Sequence, residues 1–279
     1  VDSRRVIPGV DQGKANVARV YDVLLGGTHN YPVDRELART LEAVDPSTRA
    51  ITRVNRAFLG RTVRFLLKAG VRQFLDIGSG IPTMGNVHEV AQTHVPDARV
   101  VYVDVDTSAV AHGAALLEHT PNATIVHGDL REPGALLEVP GVRDLIDFDQ
   151  PMAILLLGVL HFVPDAAEPA KITELLREAL PVHGYLAVSH VARLDDTSEP
   201  PRPVATGAAN GATTGAADGA APIEVTPRSA PEIMSFFHGC PLVDPGLVPL
   251  PLWRPEADEE RPPDPERCPV LGGVGRRRG

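Results

Sequence analysis

Apolar residues recur at helical spacing through the first seventy positions, and the rhythm changes after them. The first dozen residues are polar and are read as loose. In "KANVARVYDVLL" (14–25), Val17, Val20, Tyr21, Leu24 and Leu25 fall on one helical face, and Gly26-Gly27 is read as the stop. Two more helical patterns follow at 34–44 and 47–68. The second carries Ile51, Val54, Phe58, Leu59, Val63, Leu66 and Leu67 on a broad apolar face and ends at Gly70. Because these helices precede any strand, residues 1–70 are expected to form an N-terminal helical cap or lid.

Short, strongly apolar runs come next: "RQFLDI" (72–77), "RVVYVD" (99–104), "ATIVH" (123–127), "MAILLL" (152–157) and "GYLAVSH" (184–190). Helical patterns near 85–94, 108–119 and 168–180 lie between most of them. Strands alternating with helices, and apolar enough for burial on both faces, predict a parallel sheet in an α/β core over 71–194. Residues 195–222 hold Pro, then Gly, Ala and Thr, with no large apolar side chain, which predicts a flexible linker or insertion. A helix at 229–238 is expected to follow. "CPLVDPGLVPLPLW" (240–253) then reads as two final strands joined through an Asp-Pro-Gly turn, completing the core over 223–255. Residues 256–279 read as a disordered tail. No repeat of 20–50 residues is visible.

Composition narrows the classes of function. The 279 residues carry a formal charge of −9, which disfavours nucleic acid and anionic membrane as partners. The Arg276-Arg277-Arg278 run reads as a solvated charge cluster. The two cysteines, Cys240 and Cys268, make neither a disulfide framework nor a metal-ligand spacing. With no bilayer-length apolar run and no signal-peptide pattern, a cytoplasmic location is the expectation.

The candidate chemistry starts at "QFLDIGSGIPTMGNVHEV" (73–90), a strand, a glycine loop and a helix. A dinucleotide fingerprint would be G-x-G-x-x-G. Gly78 and Gly80 fit it, but Thr83 stands at the third position, and Asp76 would repel a diphosphate. S-adenosylmethionine carries no phosphate, and its ammonium would be attracted to Asp76. Asp104, at the end of the second strand, is placed to accept hydrogen bonds from both ribose hydroxyls, a device that NAD enzymes share. Asp106 reads as a helix cap. Asp129, just past the third strand, is placed to accept from the exocyclic amine of adenine, with Leu130 supplying a backbone N–H. The competing reading of Asp129 is an Asx-turn in a loop.

With these residues in hand, the chain resembles the class I S-adenosylmethionine-dependent methyltransferases: "LDIGSG", "YVDVD" and "HGDL" are similar to their first three motifs, and "ILLLGVLHFVPD" to the fourth strand and its loop. More narrowly, "ARVYDVLLGGTHNYPVDRELA", "RVNRAFLGRTVRFL" and "PLVDPGLVPLPLWRP" resemble an actinobacterial family of S-adenosyl methyltransferases of unknown substrate. The resemblance spans roughly 14–194 and 223–255. It implies a Rossmann-like α/β fold with a seven-stranded mixed sheet, with Asp76, Gly78 and Gly80 at the methionine end of the cofactor, Asp104 at ribose and Asp129 at adenine. Val105 and Gly158 join the cofactor set beside these strand ends. The Gly/Ala-rich stretch 204–221 departs from the family, where a helical segment is expected before the last helix.

Methyl transfer needs a held nucleophile and exclusion of water, and no metal. "HEVAQTH" (88–94) misses the zinc pattern H-E-x-x-H, because His88 and His94 do not share a helix face. His161, in the loop after the fourth strand, is the candidate general base; the alternative is a histidine that only shapes the loop. Asn30 and Tyr31 in "GGTHNY" are candidates for a lid over the cofactor. Arg56 is a candidate partner for a carboxylate of cofactor or substrate. The reading is an S-adenosylmethionine-dependent methyltransferase acting on a small-molecule acceptor. The rivals are a catalytically inactive cofactor-binding regulator and an NAD-dependent oxidoreductase.

Overall fold

The computed structural model describes residues 10–193, 225–257, 259 and 262–279. The linker expected over 195–222 therefore lies outside the described residues. Three helices open the chain: α1 (Val17–Leu25), α2 (Pro32–Val44) and α3 (Thr48–Lys68). As expected, α1 stops at Gly26, which adopts the left-handed conformation with φ 86°.

The strands are β1 (Gln73–Ile77), β2 (Arg99–Asp104), β3 (Ala123–His127), β4 (Met152–Leu157), β5 (Tyr185–Val191), β6 (Val248–Pro249) and β7 (Val270–Arg276). They form a seven-stranded mixed sheet in the order β3-β2-β1-β4-β5-β7-β6. The first five are parallel, while β7 runs antiparallel to β5 and to β6. The helices after β1 are α4 (Val87–His94), α5 (Thr107–Leu117), α6 (Pro133–Leu137), α7 (Pro140–Leu145), α8 (Pro169–Ala179) and α9 (Ala230–Ser235). Helices α6 and α7 are too short to write a helical period into the sequence.

Alternation along each strand sends successive side chains to opposite faces. Phe74, Val100, Tyr102 and Leu155 join a core with Phe58, Val63 and Leu66 of α3, Val87 and Ala91 of α4 and Leu117 of α5. Leu75, Ile77, Val101, Ile154 and Leu156 join the other core, with Leu136 of α6, Val142 of α7, Ile172 and Leu176 of α8 and Ile233 of α9. So α3, expected in the cap, also covers the sheet, and only α1 and α2 share a small separate cluster of Val20, Leu24, Ala38 and Leu41. The same parity puts Asp76 on the α3/α4 face, opposite Tyr102 in the register of β1 and β2.

Two expectations need correction. Residues 256–279 are not a disordered tail, because Val270–Arg276 is a strand inside the sheet. The glycines that make "VLGGVG" look unstructured are there for close approach. A Cβ on Gly272 would come within 2.4 Å of Leu250 and 2.9 Å of Phe58, and one on Gly275 within 2.6 Å of the Cys240 carbonyl. Nor do residues 240–253 form two strands paired across a turn. Val248–Pro249 pairs with β7, and Leu242 makes an isolated antiparallel bridge to Gly275, so both flanks of the turn lean on β7. The segment after β6 is held by Trp253, fully buried edge-to-face against Phe58 and Phe65 at 5.2 and 5.7 Å. Arg61 of α3 donates to the carbonyls of Trp253 and Leu250 at 2.8 and 2.7 Å.

Candidate functional site

The sheet order changes direction between β1 and β4, and ligands of open α/β sheets bind at such a crevice beyond the strand C-termini. Asp76, Gly78, Asp104 and Gly158 all sit there, at the ends of neighbouring strands, and Asp129 follows β3. The glycine loop leaves β1 with positive φ at Gly78 (73°) and Gly80 (63°). Gly78 donates its N–H to Val103 O at 2.8 Å. A Cβ on Gly78 would lie 2.1 Å from Val159 Cγ2. Strain and clash act together, so Gly78→Ala is expected to cost about 2 kcal/mol of stability, read as a shifted urea midpoint at unchanged slope.

Asp104 is buried and already half used. One oxygen accepts from Gly80 N–H at 2.7 Å and the other from Asp106 N–H at 2.9 Å. It thus sets the glycine loop as well as facing the crevice, and burial pushes its pKa up. Asp106 caps α5 as expected, accepting from Ser108 N–H at 2.7 Å. Val105 is exposed beside it, and Leu130 is buried.

Asp76 differs from Asp104. Its carboxylate is buried, and no hydrogen bond reaches it from the described residues. Burial raises its pKa to about 7; the Arg56 charge works against that rise and the Asp104 charge adds to it. Arg56 donates to Asn86 Oδ1 at 2.9 Å and lies over the Tyr21 ring, 5.7 Å from its centroid.

Asp129 makes an Asx-turn to Arg131 N–H at 2.8 Å and a two-point ion pair with the Arg131 guanidinium, which holds its carboxyl below the usual range. Asn30 spends its side chain within its own loop, donating to Asp22 Oδ2 and Gly27 O and accepting from Arg35. Tyr31 packs under the Arg19 guanidinium (5.1 Å) and 6.1 Å from the His112 ring. No contact links Asn30 or Tyr31 to Asp76 or Asp104; what covers the glycine loop is α1, whose Ala18 Cβ would lie 3.5 Å from a Cβ on Gly80.

Gly158 has φ 73°, and a Cβ there would sit 3.2 Å from Asn55 Nδ2 and 3.8 Å from His161 Cε1. His161 is buried, and its Nδ1 has no hydrogen-bond partner among the described residues. Burial, and the neighbouring His190 and Arg228, hold its pKa well below the usual 6.5. The ring is therefore neutral at physiological pH and a weaker base than its sequence context suggested. Arg228 braces its loop by donating to Leu160 O, Val163 O and the Asp165 carboxylate at 3.0, 2.8 and 2.7 Å. His88 and His94 are engaged elsewhere, with Tyr102 Oη and Val90 O. Among the described residues no group of three His, Cys, Asp or Glu side chains is placed to hold a metal.

One chain of polar groups here carries no sequence motif. Ser189 Oγ donates to Asn55 Oδ1 at 2.6 Å, and Asn55 Nδ2 donates to Tyr21 Oη at 3.0 Å, tying β5 to α3 and α1 beside Gly158. Its one signal in the sequence is a serine inside the buried run "YLAVSHV"; Tyr21 falls on the apolar face of α1.

The fold and these strand-end residues define a class I methyltransferase architecture. The profile of the S-adenosyl methyltransferase family matches residues 4–278, and the chain belongs to that family. A protein of Thermobifida fusca YX, provisionally named a methyltransferase, is 39% identical with a TM-score of 0.83, covering 98% of each chain. A DUF574 family protein from Streptomyces avermitilis MA-4680 is 33% identical with a TM-score of 0.80, covering 96% of this chain and 99% of its own. PigF, solved with S-adenosylhomocysteine, has a TM-score of 0.51 at 16% identity over 94% of this chain and 63% of its own, which bears on the fold alone. No curated protein matches. Among the described residues no helix is long and apolar enough to cross a membrane.

Proposed function

We propose that the chain is an S-adenosylmethionine-dependent methyltransferase acting on a small-molecule acceptor. The observation that carries this reading is the buried Asp76 carboxylate at the end of β1, which no hydrogen bond reaches from the described residues and whose burial the Arg56 charge offsets only in part. Such a group is stable there only if it holds a proton or meets a cation. An α-ammonium meets that need, whereas a diphosphate would aggravate it, which counts against the dinucleotide reading. We assign Asp76 to the ammonium, Gly78 and Gly80 to backbone approach, Asp104 to ribose and Asp129, whose carboxylate Arg131 already engages, with Leu130 to adenine.

Bound S-adenosylmethionine supplies a methyl group on a sulfonium, already an excellent leaving group. The protein's work is then to orient the acceptor and keep water out. Helices α1 and α3 roof the crevice, and the Ser189–Asn55–Tyr21 chain fixes them to the sheet. The neutral His161, with a free Nδ1 beside Gly158, accepts a hydrogen bond from the acceptor's O–H or N–H and aligns its lone pair. Its depressed pKa suits alignment better than early proton removal.

The test is proton linkage. Because the folded pKa of Asp76 is raised to about 7, its neutral form stabilises the empty protein below the unfolded value, and that stability is lost as pH rises through 7. The ammonium requires the ionised form. Binding of S-adenosylhomocysteine at pH 6 is therefore expected to release about one proton, and affinity to fall roughly tenfold per pH unit below 7. Calorimetry in buffers of different ionisation enthalpy reads this directly, and Asp76→Asn should abolish the release. Binding that is tight and independent of pH would count against this role for Asp76.

A further inference from the structure

One buried side chain ties the entry to α9 to the loop that carries His161. Arg228 is only 3% exposed, and its backbone meets the end of β5 through a parallel bridge to Ala192. Two residues earlier, Thr226 N–H donates to His161 O at 2.8 Å. The Arg228 guanidinium then uses every N–H it has. Nη1 donates to Leu160 O at 3.0 Å and to His190 Nε2 at 2.9 Å. Nη2 donates to Val163 O at 2.8 Å and Asp165 Oδ1 at 2.7 Å, and Nε reaches the same Asp165 oxygen at 3.2 Å. Apart from His190, each partner belongs to residues 160–165, on either side of His161.

The bond to His190 also fixes a proton. An arginine can only donate, so His190 Nε2 is a bare acceptor and the ring's proton sits on Nδ1, which meets Val191 O at 2.7 Å. A second proton on this completely buried ring would face the guanidinium. Burial lowers its pKa to about 4, with the Val191 carbonyl opposing the fall and the Arg228 charge adding to it. His161 stands edge-to-face against this neutral ring, the centroids 5.5 Å apart and the planes at 90°. Among the described residues, His190 and Arg228 act on the charge of His161, and Arg228 and Glu232 act on that of His190. His161 therefore leans on a wall that neither protonates nor turns, and a Cβ on Gly158 would lie 3.8 Å from its Cε1. Backbone grip and side-chain wall converge on a ring whose Nδ1 is unpartnered among the described residues.

We propose that Arg228 is the positioning residue for His161: through the loop carbonyls and through His190, it holds the imidazole in a single orientation toward the methyl acceptor. The inference rests on the reading of His161 as the group that aligns the acceptor, and it gives a role to a residue that no sequence motif marks. An acceptor's O–H or N–H then finds the Nδ1 lone pair already in place, with no ordering of the loop left for the moment of binding.

Histidine-selective isotope labelling of the full chain, read by proton–nitrogen correlation across each ring, reports tautomer and protonation. Calorimetry with S-adenosylhomocysteine reads the cofactor site beside it. In wild type, His190 is expected as the Nδ1–H tautomer and His161 as one neutral species at pH 6.5. Arg228→Lys keeps the charge and loses the fork, so His161 should stay neutral but split into two or more ring species. Arg228→Gln loses both, and the His161 titration midpoint should also rise. In each variant the affinity for S-adenosylhomocysteine is expected to stay within about twofold of wild type. If both lose the cooperative thermal transition, Asp165→Asn, at a side chain 75% exposed, removes the fork's charged partner and should still split the His161 signals. His190 found as the Nε2–H tautomer, or His161 signals indifferent to the variants that fold, overturns the proposal. A loss of nucleoside affinity in step with the splitting also overturns it, because Arg228 would then support the whole crevice rather than His161. Wild type that binds no S-adenosylhomocysteine overturns the cofactor reading and leaves His161 no acceptor to meet.

Discussion

Asp104→Ala is expected to weaken S-adenosylhomocysteine binding by at least about 100-fold while leaving the far-ultraviolet circular dichroism unchanged. Each hydrogen bond from a ribose hydroxyl to a carboxylate is worth roughly 1.5–3 kcal/mol, and two are lost together. The structure adds a second route to the same loss, since Gly80 N–H and Asp106 N–H also surrender their acceptor. The two routes separate in Asp104→Asn, whose carbonyl still receives one backbone N–H. If ribose recognition dominates, Asn binds nearly as poorly as Ala; if loop anchoring dominates, Asn recovers most of the affinity. Unchanged affinity in Asp104→Ala would end the ribose assignment.

The largest stability effect is expected at the cap. Arg19 and Asp34 form an ion pair at 2.7 Å with side chains 1% and 0% exposed. Asp34 also accepts from Asn16 N–H at 2.9 Å and Tyr31 N–H at 2.8 Å, so one carboxylate organises the entry to α1 and the loop before α2. Arg19 reaches on to Ser108 Oγ at 2.9 Å, linking the cap to α5. Asp34→Ala leaves a buried guanidinium without its counter-ion and should cost about 3–5 kcal/mol in urea unfolding. Replacing both partners, as in Arg19→Met with Asp34→Leu, should recover much of that stability, because the desolvation penalty of the pair disappears with it. A double variant no more stable than the single would mean that the hydrogen bonds Asp34 accepts from the Asn16 and Tyr31 N–H groups, rather than the charges, hold the cap.

What the sequence made legible divides along physical lines. The five parallel strands and the long helices announce themselves because burial on one or both faces writes a period into them, and residues 73–77 and 99–104 appear within a residue of their predicted bounds. The seventh strand does not, because its glycines were chosen for contact with Leu250, Phe58 and the Cys240 backbone, and glycine in isolation reads as disorder. At the site, Asp76 and Asp104, which we propose for the cofactor's ammonium and its ribose, were readable from their motifs. Asn86, Asn55 and Ser189 were not, since their meaning lies in partners thirty to more than a hundred positions away, Arg56 for Asn86 and Ser189 for Asn55. His161 was found by position, but its depressed pKa depends on His190 and Arg228, which only the folded chain brings beside it.

We propose that the crevice beyond β1 and β2 takes a methionine-bearing nucleoside. Calorimetric titration of the purified protein with S-adenosylmethionine, S-adenosylhomocysteine and NAD tests it most directly. Micromolar binding of the first two and none of the third is expected. Binding of NAD, or of none of the three, would contradict it.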